Sequence, residues 1–296
     1  MKFSVVIPAY NSEENVGQAI ESILNQTYDR NNYEVIVSDN NSTDKTAKII
    51  ARYPVKYINA EKQGASSARN AGAKAAQGEW LIFMDSDCEA DKYLIASYED
   101  ALDSEDDVAF LGGKIIGAQS ENPIAKYIAE NKNLFNQRRR TLSFEPLPFV
   151  LTANSAFRRK TFQEIGGFDE SIFYVEDKDI SWRLLMKGHR LKYIDEAVVF
   201  HKHRTTLNGF IKMMMGYGYG YTTLYKKHRN NLKNFPVTRF NTKYYFRLSL
   251  KIVKLPAILF ANNSYLRWKI FLDMLKDASY LAGKIVSSYK NRILYL

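Results

Sequence analysis

Asp85-Ser86-Asp87 places two carboxylates at i and i+2 directly after the apolar run Trp80–Met84. In a turn leaving a buried strand, such a pair can share one hard cation, because Mg²⁺ or Mn²⁺ is held by a few carboxylates together with diphosphate oxygens. The cation would offset charge building on a departing diphosphate. The competing reading is a solvated acidic turn. A second acidic run, Val175-Glu176-Asp177-Lys178-Asp179, precedes the helical pattern Ile180, Leu184, Leu185. Acids at a helix start are favoured by the helix dipole, so N-terminal capping accounts for them without chemistry. The chemical reading has one carboxylate accept the proton of an attacking hydroxyl, help worth about 10²–10⁴-fold.

Two further segments carry suitable groups. Gly64-Ala65-Ser66-Ser67-Ala68-Arg69-Asn70 is a glycine turn entering a helix whose first turns hold an arginine, which suits a phosphate or a nucleotide. It is not a G-x-x-x-x-G-K-[ST] loop, and a tight turn with a surface arginine is the alternative. His201-Lys202-His203 follows the apolar run Ala197–Phe200. Alternate residues of a strand face one way, so both histidines share a side. His201 then either ligates the metal or is an ordinary hydrogen-bonded histidine.

The surrounding elements must bring these segments together. Phe3–Ile7, Glu34–Ser38 and Trp80–Met84 read as buried strands. Between the first two, Asn11 with Glu14 three residues on forms a capping-box-like pair. Val16, Ala19, Ile20, Ile23 and Leu24 then mark one helical face. Ser42 and Thr43 open a second helix through Ile50, and Ser66–Gln77 is a third, closed by Gly78. This alternation predicts an α/β fold with a mainly parallel sheet covered on both faces. Ligands of such sheets sit beyond the carboxyl ends of the strands. Pro8-Ala9-Tyr10-Asn11, Asp39-Asn40-Asn41-Ser42 and Asp85-Ser86-Asp87 therefore converge on one edge. Beyond Asp107 the pattern predicts strands over Val108–Leu111, Lys114–Gly117 and Phe149–Phe157, with helices over Pro123–Asn136 and Asp177–Gly188.

The 296 residues and 46% hydrophobic content suffice for one large core with an appendage. Cys88 is the single cysteine, so no internal disulfide forms and a reducing compartment is expected. About five apolar residues precede a polar turn at the N-terminus, too few for a signal-peptide core. The longest apolar stretch, Leu248–Ala261, is broken by Lys251, Lys254 and Pro256, short of the roughly 18 residues of a membrane span. From His201 onward 18 Lys and Arg face only Asp273 and Asp277, leaving the first 200 residues at −6 within a total of +10. That basic third calls for a polyanionic partner. No nucleic-acid motif accompanies it, which leaves an anionic membrane surface. Trp268, Phe271, Leu275, Ala278 and Ala282 form a helical stripe with Lys269, Lys276 and Lys284 off it, as suits a helix lying at a bilayer interface. Packing on the catalytic half, or a homodimer contact, is the alternative.

In their order along the chain these residues resemble the family 2 glycosyltransferases of GT-A fold. Val5-Val6-Ile7-Pro8-Ala9-Tyr10-Asn11 with Glu14 is similar to their first strand and nucleotide loop, and Val37–Asp44 to the segment whose first Asp contacts the base. Gly64–Gly72, with Ala68-Arg69-Asn70, is similar to their Gly-x-x-x-Ala-Arg-Asn-x-Gly stretch, and Asp85-Ser86-Asp87 to the metal-binding Asp-x-Asp. Gly166-Gly167-Phe168-Asp169-Glu170 followed by Glu176-Asp177 resembles the acceptor-side signature. The resemblance spans residues 3–204 and implies a GT-A domain there. Its nucleotide-sugar half covers about 1–112 and its acceptor half 113–204, followed by a helical basic region over 205–296.

It further implies inverting transfer from a nucleoside-diphosphate sugar, most simply a UDP-sugar, with Mn²⁺ or Mg²⁺ as cofactor. Asp177 would be the base beside Glu176, and Asp87 the metal ligand with Asp85. Pro8, Ala9, Tyr10, Asn11, Glu14, Asp39, Asn41, Gly64, Arg69, Asp85 and Ser86 would hold the nucleotide, and Asn154 and Trp182 the sugar or acceptor. The acceptor would be a glycan or lipid-linked saccharide of cell-surface polysaccharide synthesis, met on the cytoplasmic face of the membrane. Asn40 stands where the family often has Gly. The Gln-x-x-Arg-Trp signature of processive members is absent. Tyr217-Gly218-Tyr219-Gly220 resembles a Tyr-Gly element of non-processive members. The competing classes are a sugar nucleotidyltransferase and a non-catalytic nucleotide-sugar binder.

Overall fold

The computed structural model of the protein describes residues 1–102, 108–131, 147–231, 249, 263–293 and 295. Eight strands form one sheet: β1 (Phe3–Ala9), β2 (Tyr33–Asp39), β3 (Lys56–Asn59), β4 (Trp80–Met84), β5 (Cys88–Ala90), β6 (Val108–Gly117), β7 (Asn154–Arg158) and β8 (Arg190–His201). Their spatial order is β3-β2-β1-β4-β7-β6-β8-β5. Helices α1 (Val16–Leu24), α2 (Thr46–Ile50), α3 (Ala65–Ala75) and α4 (Leu94–Asp100) belong to the first half. The others are α5 (Pro123–Glu130), α6 (Arg159–Glu164), α7 (Glu176–Met186), α8 (Leu207–His228) and α9 (Ser264–Asn291).

The period-2 alternation of the central strands sorts their side chains onto two faces. Phe3, Val5 and Ile7 of β1 join Val35, Val37, Ile82 and Met84 in one core with α1. Val6, Ile36, Leu81 and Phe83 turn to the other face, against Ala73 of α3 and Ile180 and Leu184 of α7. Both faces are thus covered, as the expected α/β architecture requires. Strands β3, β2, β1 and β4 run parallel, β6 and β8 are also parallel, and β7 and β5 are antiparallel to their neighbours. The sheet is therefore mixed: the parallel character holds for the first half, and two reversed strands enter in the second.

Several local expectations change. Asn11 is not a helix cap: α1 begins at Val16 with Asn15 as its N-cap residue. Asn11 instead takes a left-handed φ of 46° and its Oδ1 accepts from the Thr43 amide at 2.8 Å, tying the β1 loop to the β2 loop. The strand predicted over Phe149–Phe157 is confined to Asn154–Arg158. The two short strands predicted after Asp107 are one strand, β6, with a register shift at Gly113/Lys114. Helix α5 ends at Glu130. Residues 132–136 of its expected span, and the Leu248–Ala261 stretch, lie outside the described residues.

The C-terminal helix divides the apolar stripe read from sequence. Its inward face is Leu272, Ser279, Gly283, Lys284 and Ser287, while Phe271, Ala278, Ile285 and Tyr289 point outward. Lys284, placed off the apolar stripe from sequence, is buried, with its ammonium 4.3 Å from the centroid of the Tyr295 ring. Small residues govern the orientation: a Cβ on Gly283 would lie 2.0 Å from the Met215 carbonyl oxygen, and one on Gly218 1.9 Å from that of Tyr280. The α8 and α9 backbones therefore touch, and the small-residue side of α9 must face inward. Both helices also pack on the rest of the chain, Phe210 and Leu272 against Ile124 and Tyr127, and Tyr221 and Tyr225 against Val175 and Trp182.

Phe83 is fully buried and its ring meets those of Phe157, Phe162 and Phe168 at centroid distances of 5.2–5.8 Å. Phe83→Ala is expected to lower unfolding free energy by about 3–5 kcal/mol, measured by urea denaturation. A change below about 1 kcal/mol would mean that this aromatic cluster is not the packed core it is described as.

Candidate active site

A cleft of about 660 Å³ opens at the carboxyl ends of β1 and β4. Its lining gathers Pro8, Ala9, Tyr10 and Asn11 from the β1 loop, Gly64 and Arg69 from the start of α3, Asp85, Ser86 and Asp87 after β4, and Glu176 at the start of α7. Four of the segments singled out from sequence thus meet.

The Arg69 guanidinium joins them. One terminal nitrogen donates to Asp85 Oδ1 at 2.7 Å and the other to Glu176 Oε1 at 2.8 Å. Arg69 is buried at 5% exposure, and the two carboxylates hold its proton more firmly than usual against the opposing effect of burial. The next residue reinforces the link. The Asn70 carboxamide accepts from the Phe168 amide at 3.0 Å and donates to the Phe168 carbonyl at 2.9 Å. The turn it grips needs left-handed backbone at Gly166 (φ 81°) and Gly167 (φ 65°), which glycine adopts without strain.

The acidic run divides into three roles. Asp179 is fully buried and accepts from Arg183 Nε (2.8 Å), His228 Nε2 (2.8 Å) and Lys227 Nζ (2.7 Å), so it anchors α7 to the end of α8. Glu176 is engaged by Arg69. Asp177 stands next to Glu176 but is not among the lining residues; enclosure and the Glu176 charge push its carboxyl up to about 7. The Asp177 charge in turn helps raise the Tyr217 hydroxyl of α8, whose main cause is burial.

Asp87, Cys88 and His201 offer ligand atoms within 4.8 Å of one another. The antiparallel pairing of Cys88 with His201 brings them together. Asp87 Oδ1 lies 3.6 Å from His201 Nε2, too far for a hydrogen bond and near the spacing of two ligands of one divalent ion. A carboxylate and an imidazole fit Mn²⁺ or Mg²⁺; Cys88, its thiol pushed well above the usual range by burial, does not. Enclosure raises the Asp87 carboxyl, while His201 and Arg204 oppose that rise.

Other predicted residues lie elsewhere. Asp39 is buried beside the cleft, its carboxylate accepting from the Ser42 amide at 3.2 Å and the Tyr57 hydroxyl at 3.0 Å. Asn41 donates to the Ala60 and Glu61 carbonyls, and Glu14 is exposed to solvent. None of the three lines the cleft. The acceptor role expected of Asn154 and Trp182 is corrected: both are fully buried. Asn154 bonds the Tyr98 hydroxyl (2.6 Å) and the Ala197 carbonyl (2.8 Å), and Trp182 the Leu147 carbonyl (3.1 Å).

Sequence reasoning missed Ser12, Asn40, Phe173, Tyr174 and Arg204, which all line the cleft. Asn40 had a legible departure from the glycine expected there. Its Oδ1 accepts from the Gly64 amide at 2.6 Å and its Nδ2 donates to the Lys62 carbonyl at 2.7 Å, so it holds the Gly64 turn against the end of β2. Arg204 follows the histidines by one residue, which was its only signal.

Residues 4–166 match the model of the family described as Glycosyl transferase family 2. Glycosyltransferase AglE of Haloferax volcanii is 27% identical over 68% of this chain and 67% of its own. The pre-mycofactocin glycosyltransferase of Mycobacterium tuberculosis is 28% identical over 76% of this chain and 48% of its own, so the chain spans between half and two thirds of these relatives. Among solved structures, the mannosyltransferase PcManGT from Pyrobaculum calidifontis, in complex with GDP-Man and Mn²⁺, aligns with a TM-score of 0.68 at 17% identity over 98% of this chain and 87% of that one. S. aureus TarS 1–349 in complex with UDP-GlcNAc aligns at 0.55 and 18%, over 100% and 93%.

Removing the guanidinium leaves the buried Glu176 and the half-buried Asp85 without their cation; breaking a fully buried pair typically costs about 3–5 kcal/mol, which is an upper bound here. Arg69→Ala is expected to lower stability by up to that order in urea denaturation, and Arg69→Lys by less. Equal stability of Arg69→Ala and wild type would remove Arg69 from its joining role.

Proposed function

Since the chain belongs to glycosyl transferase family 2 and is a glycosyltransferase, we propose that it transfers a sugar with inversion from a nucleoside-diphosphate sugar, a UDP-sugar foremost, to a hydroxyl of a glycan or lipid-linked saccharide. The observation that carries this reading is the joining, through Arg69, of the Asp85–Asp87 turn to the Glu176–Asp177 helix start across one cleft. The nucleotide sugars bound in the PcManGT and TarS complexes support a donor of this class.

In this reading Pro8–Asn11 and the Gly64 turn seat the nucleotide, with Asp39, Asn41 and Tyr57 shaping the wall behind the base. Asp87 and His201 would hold the divalent cation, with Asp85 beside them; when bound, it supplies positive charge to the departing diphosphate. Arg204 adds a fixed positive charge at the same place. Glu176 has one carboxylate oxygen taken up by Arg69. Asp177 is the base: it takes the acceptor hydroxyl's proton as that oxygen bonds to the anomeric carbon and the bond to the diphosphate breaks. A sugar nucleotidyltransferase would need a glycine-rich basic loop after β1, which Pro8-Ala9-Tyr10-Asn11 does not provide.

The reading extends to a membrane surface. Among the described residues no helix is long and apolar enough to cross a membrane. The outward face of α9 nonetheless carries Phe271, Ile285 and Tyr289, within a third of the chain that is strongly basic. Such a surface suits peripheral docking on anionic lipid, where a lipid-linked acceptor would be met.

Incubation with a panel of nucleotide sugars and Mn²⁺, reading released nucleotide, tests the class; no turnover and no nucleotide binding would end it. Asp177→Asn is expected to abolish transfer while UDP affinity stays within a few-fold. Because only ionised Asp177 accepts a proton, wild-type kcat should climb with pH through about 7 and level off above. The same raised value means that the fold binds this proton more tightly than the unfolded chain does, so its stabilising contribution fades as pH rises from the unfolded value of about 3.9 through 7. Asp87→Ala should erase the Mn²⁺ dependence of UDP binding in calorimetry, and a dependence that survives would place the cation elsewhere.

A further inference from the structure

We propose that Phe173 and Tyr174 form the platform on which the acceptor's pyranose ring stacks, and that Gly216 and Gly220 of α8 are positioning residues that hold this platform against the cleft. The inference rests on the glycosyltransferase reading and names a subsite within it.

Three independent observations converge. Phe173 and Tyr174 are large aromatics that line the cleft while remaining 49% and 52% exposed. Binding clefts use such rings to bury the apolar side of a ligand, with a few polar groups fixing its orientation, and the C–H face of a pyranose is such a surface. Second, Tyr174 has a φ of 71°, a left-handed conformation that is uncommon for a bulky residue and persists only where its surroundings enforce it. Third, the enforcing surroundings are visible. A Cβ at Gly216 would lie 2.3 Å from Tyr174 Cε1, and one at Gly220 would lie 2.4 Å from the Phe173 carbonyl oxygen. Gly216 and Gly220 are four residues apart and share one face of α8. Gly218, between them, meets α9 on another side. The Tyr217-Gly218-Tyr219-Gly220 element thereby gains a role: bare backbone on one face of α8 receives the loop, and on another receives α9.

Place on the chain decides which substrate the rings meet. Tyr174 is three residues before Asp177, and the hydroxyl to be deprotonated must come within about 3 Å of that carboxylate. The donor's diphosphate end belongs to Asp85, Asp87 and Arg204. On the donor side Phe173 reaches the Gly64 turn, where an added Cβ would lie 3.7 Å from its Cε1. The rings wall the cleft together with Glu176, the residue just before the proposed base.

The test uses the full chain with saturating UDP and Mn²⁺, and methyl β-glucopyranoside as the acceptor probe. Saturation-transfer NMR reads its affinity and calorimetry reads that of UDP. Irradiating the protein's aromatic protons should transfer saturation to the pyranose C–H protons. Truncating a well-packed aromatic contact typically costs about tenfold or more. Phe173→Ala should weaken pyranoside binding by that factor with UDP affinity unchanged, and Phe173→Tyr should restore it. Gly220→Ala should reproduce the loss, because the backbone oxygen it displaces belongs to Phe173. Should Gly220→Ala fail to fold, the Phe173 pair decides, since that side chain is half exposed. Pyranoside affinity indifferent to Phe173, no pyranoside binding by wild type, or loss of UDP rather than pyranoside affinity would each overturn the platform. Failure of wild type to bind UDP would instead overturn the glycosyltransferase reading beneath it.

Discussion

One buried cation organises the cleft. Arg69 lies between a turn that leaves the sheet and a helix that begins more than a hundred residues later, and bonds a carboxylate in each. A guanidinium suits this position because its planar fork serves two acceptors in fixed directions and keeps its charge when enclosed. A buried pair of this kind is weak evidence for stability in itself, since desolvation offsets much of the attraction. Its consequence is geometric: Asp85 and Glu176 cannot drift apart without breaking this ion pair. Asn70 repeats the constraint one residue on, through the Phe168 backbone.

The acidic segment at the start of α7 illustrates how one local pattern serves several ends. Helix-start acids and catalytic acids look alike in sequence. In the fold they separate by what reaches them: Asp179 meets three cationic or imidazole donors, Glu176 meets Arg69, and Asp177 has enclosure and a neighbouring negative charge as its main influences. The last combination is the one that brings a carboxyl toward neutrality, which is what a proton acceptor near pH 7 needs.

The first half of the fold was legible because its signals are local. Phe3–Ile7 and Trp80–Met84 are apolar, partly β-branched runs, and alternation with helices dictates where their ends point. The Pro8–Asn11 and Asp85–Asp87 segments inherited their position from that rule. Residues whose part depends on distant partners were misread. Asn154 and Trp182 looked like polar contacts for a sugar, yet their polar atoms satisfy buried backbone and a buried tyrosine. The stripe on α9 was read as a face for a bilayer surface, with packing on the catalytic half as the alternative, yet the fold divides it: Phe271 and Ala278 face outward while Trp268 and Leu275 pack on the chain. What turned it was backbone contact at Gly218 and Gly283, a force that hydrophobic periodicity does not register. Phe173 and Tyr174 carried no signal, because their exposure at the cleft follows from where α8 lies.

The contact between α8 and the Phe173–Tyr174 loop bears on where the working enzyme ends. The sheet and the loops at its carboxyl edge are complete by His201, and the family match stops earlier still, at residue 166. One wall of the cleft, however, leans on glycines beyond both limits, and those glycines belong to a helix braced by α9. The smallest fragment with a finished cavity is therefore longer than the smallest fragment with a finished sheet, and the basic helices support the cleft as well as forming outer surface.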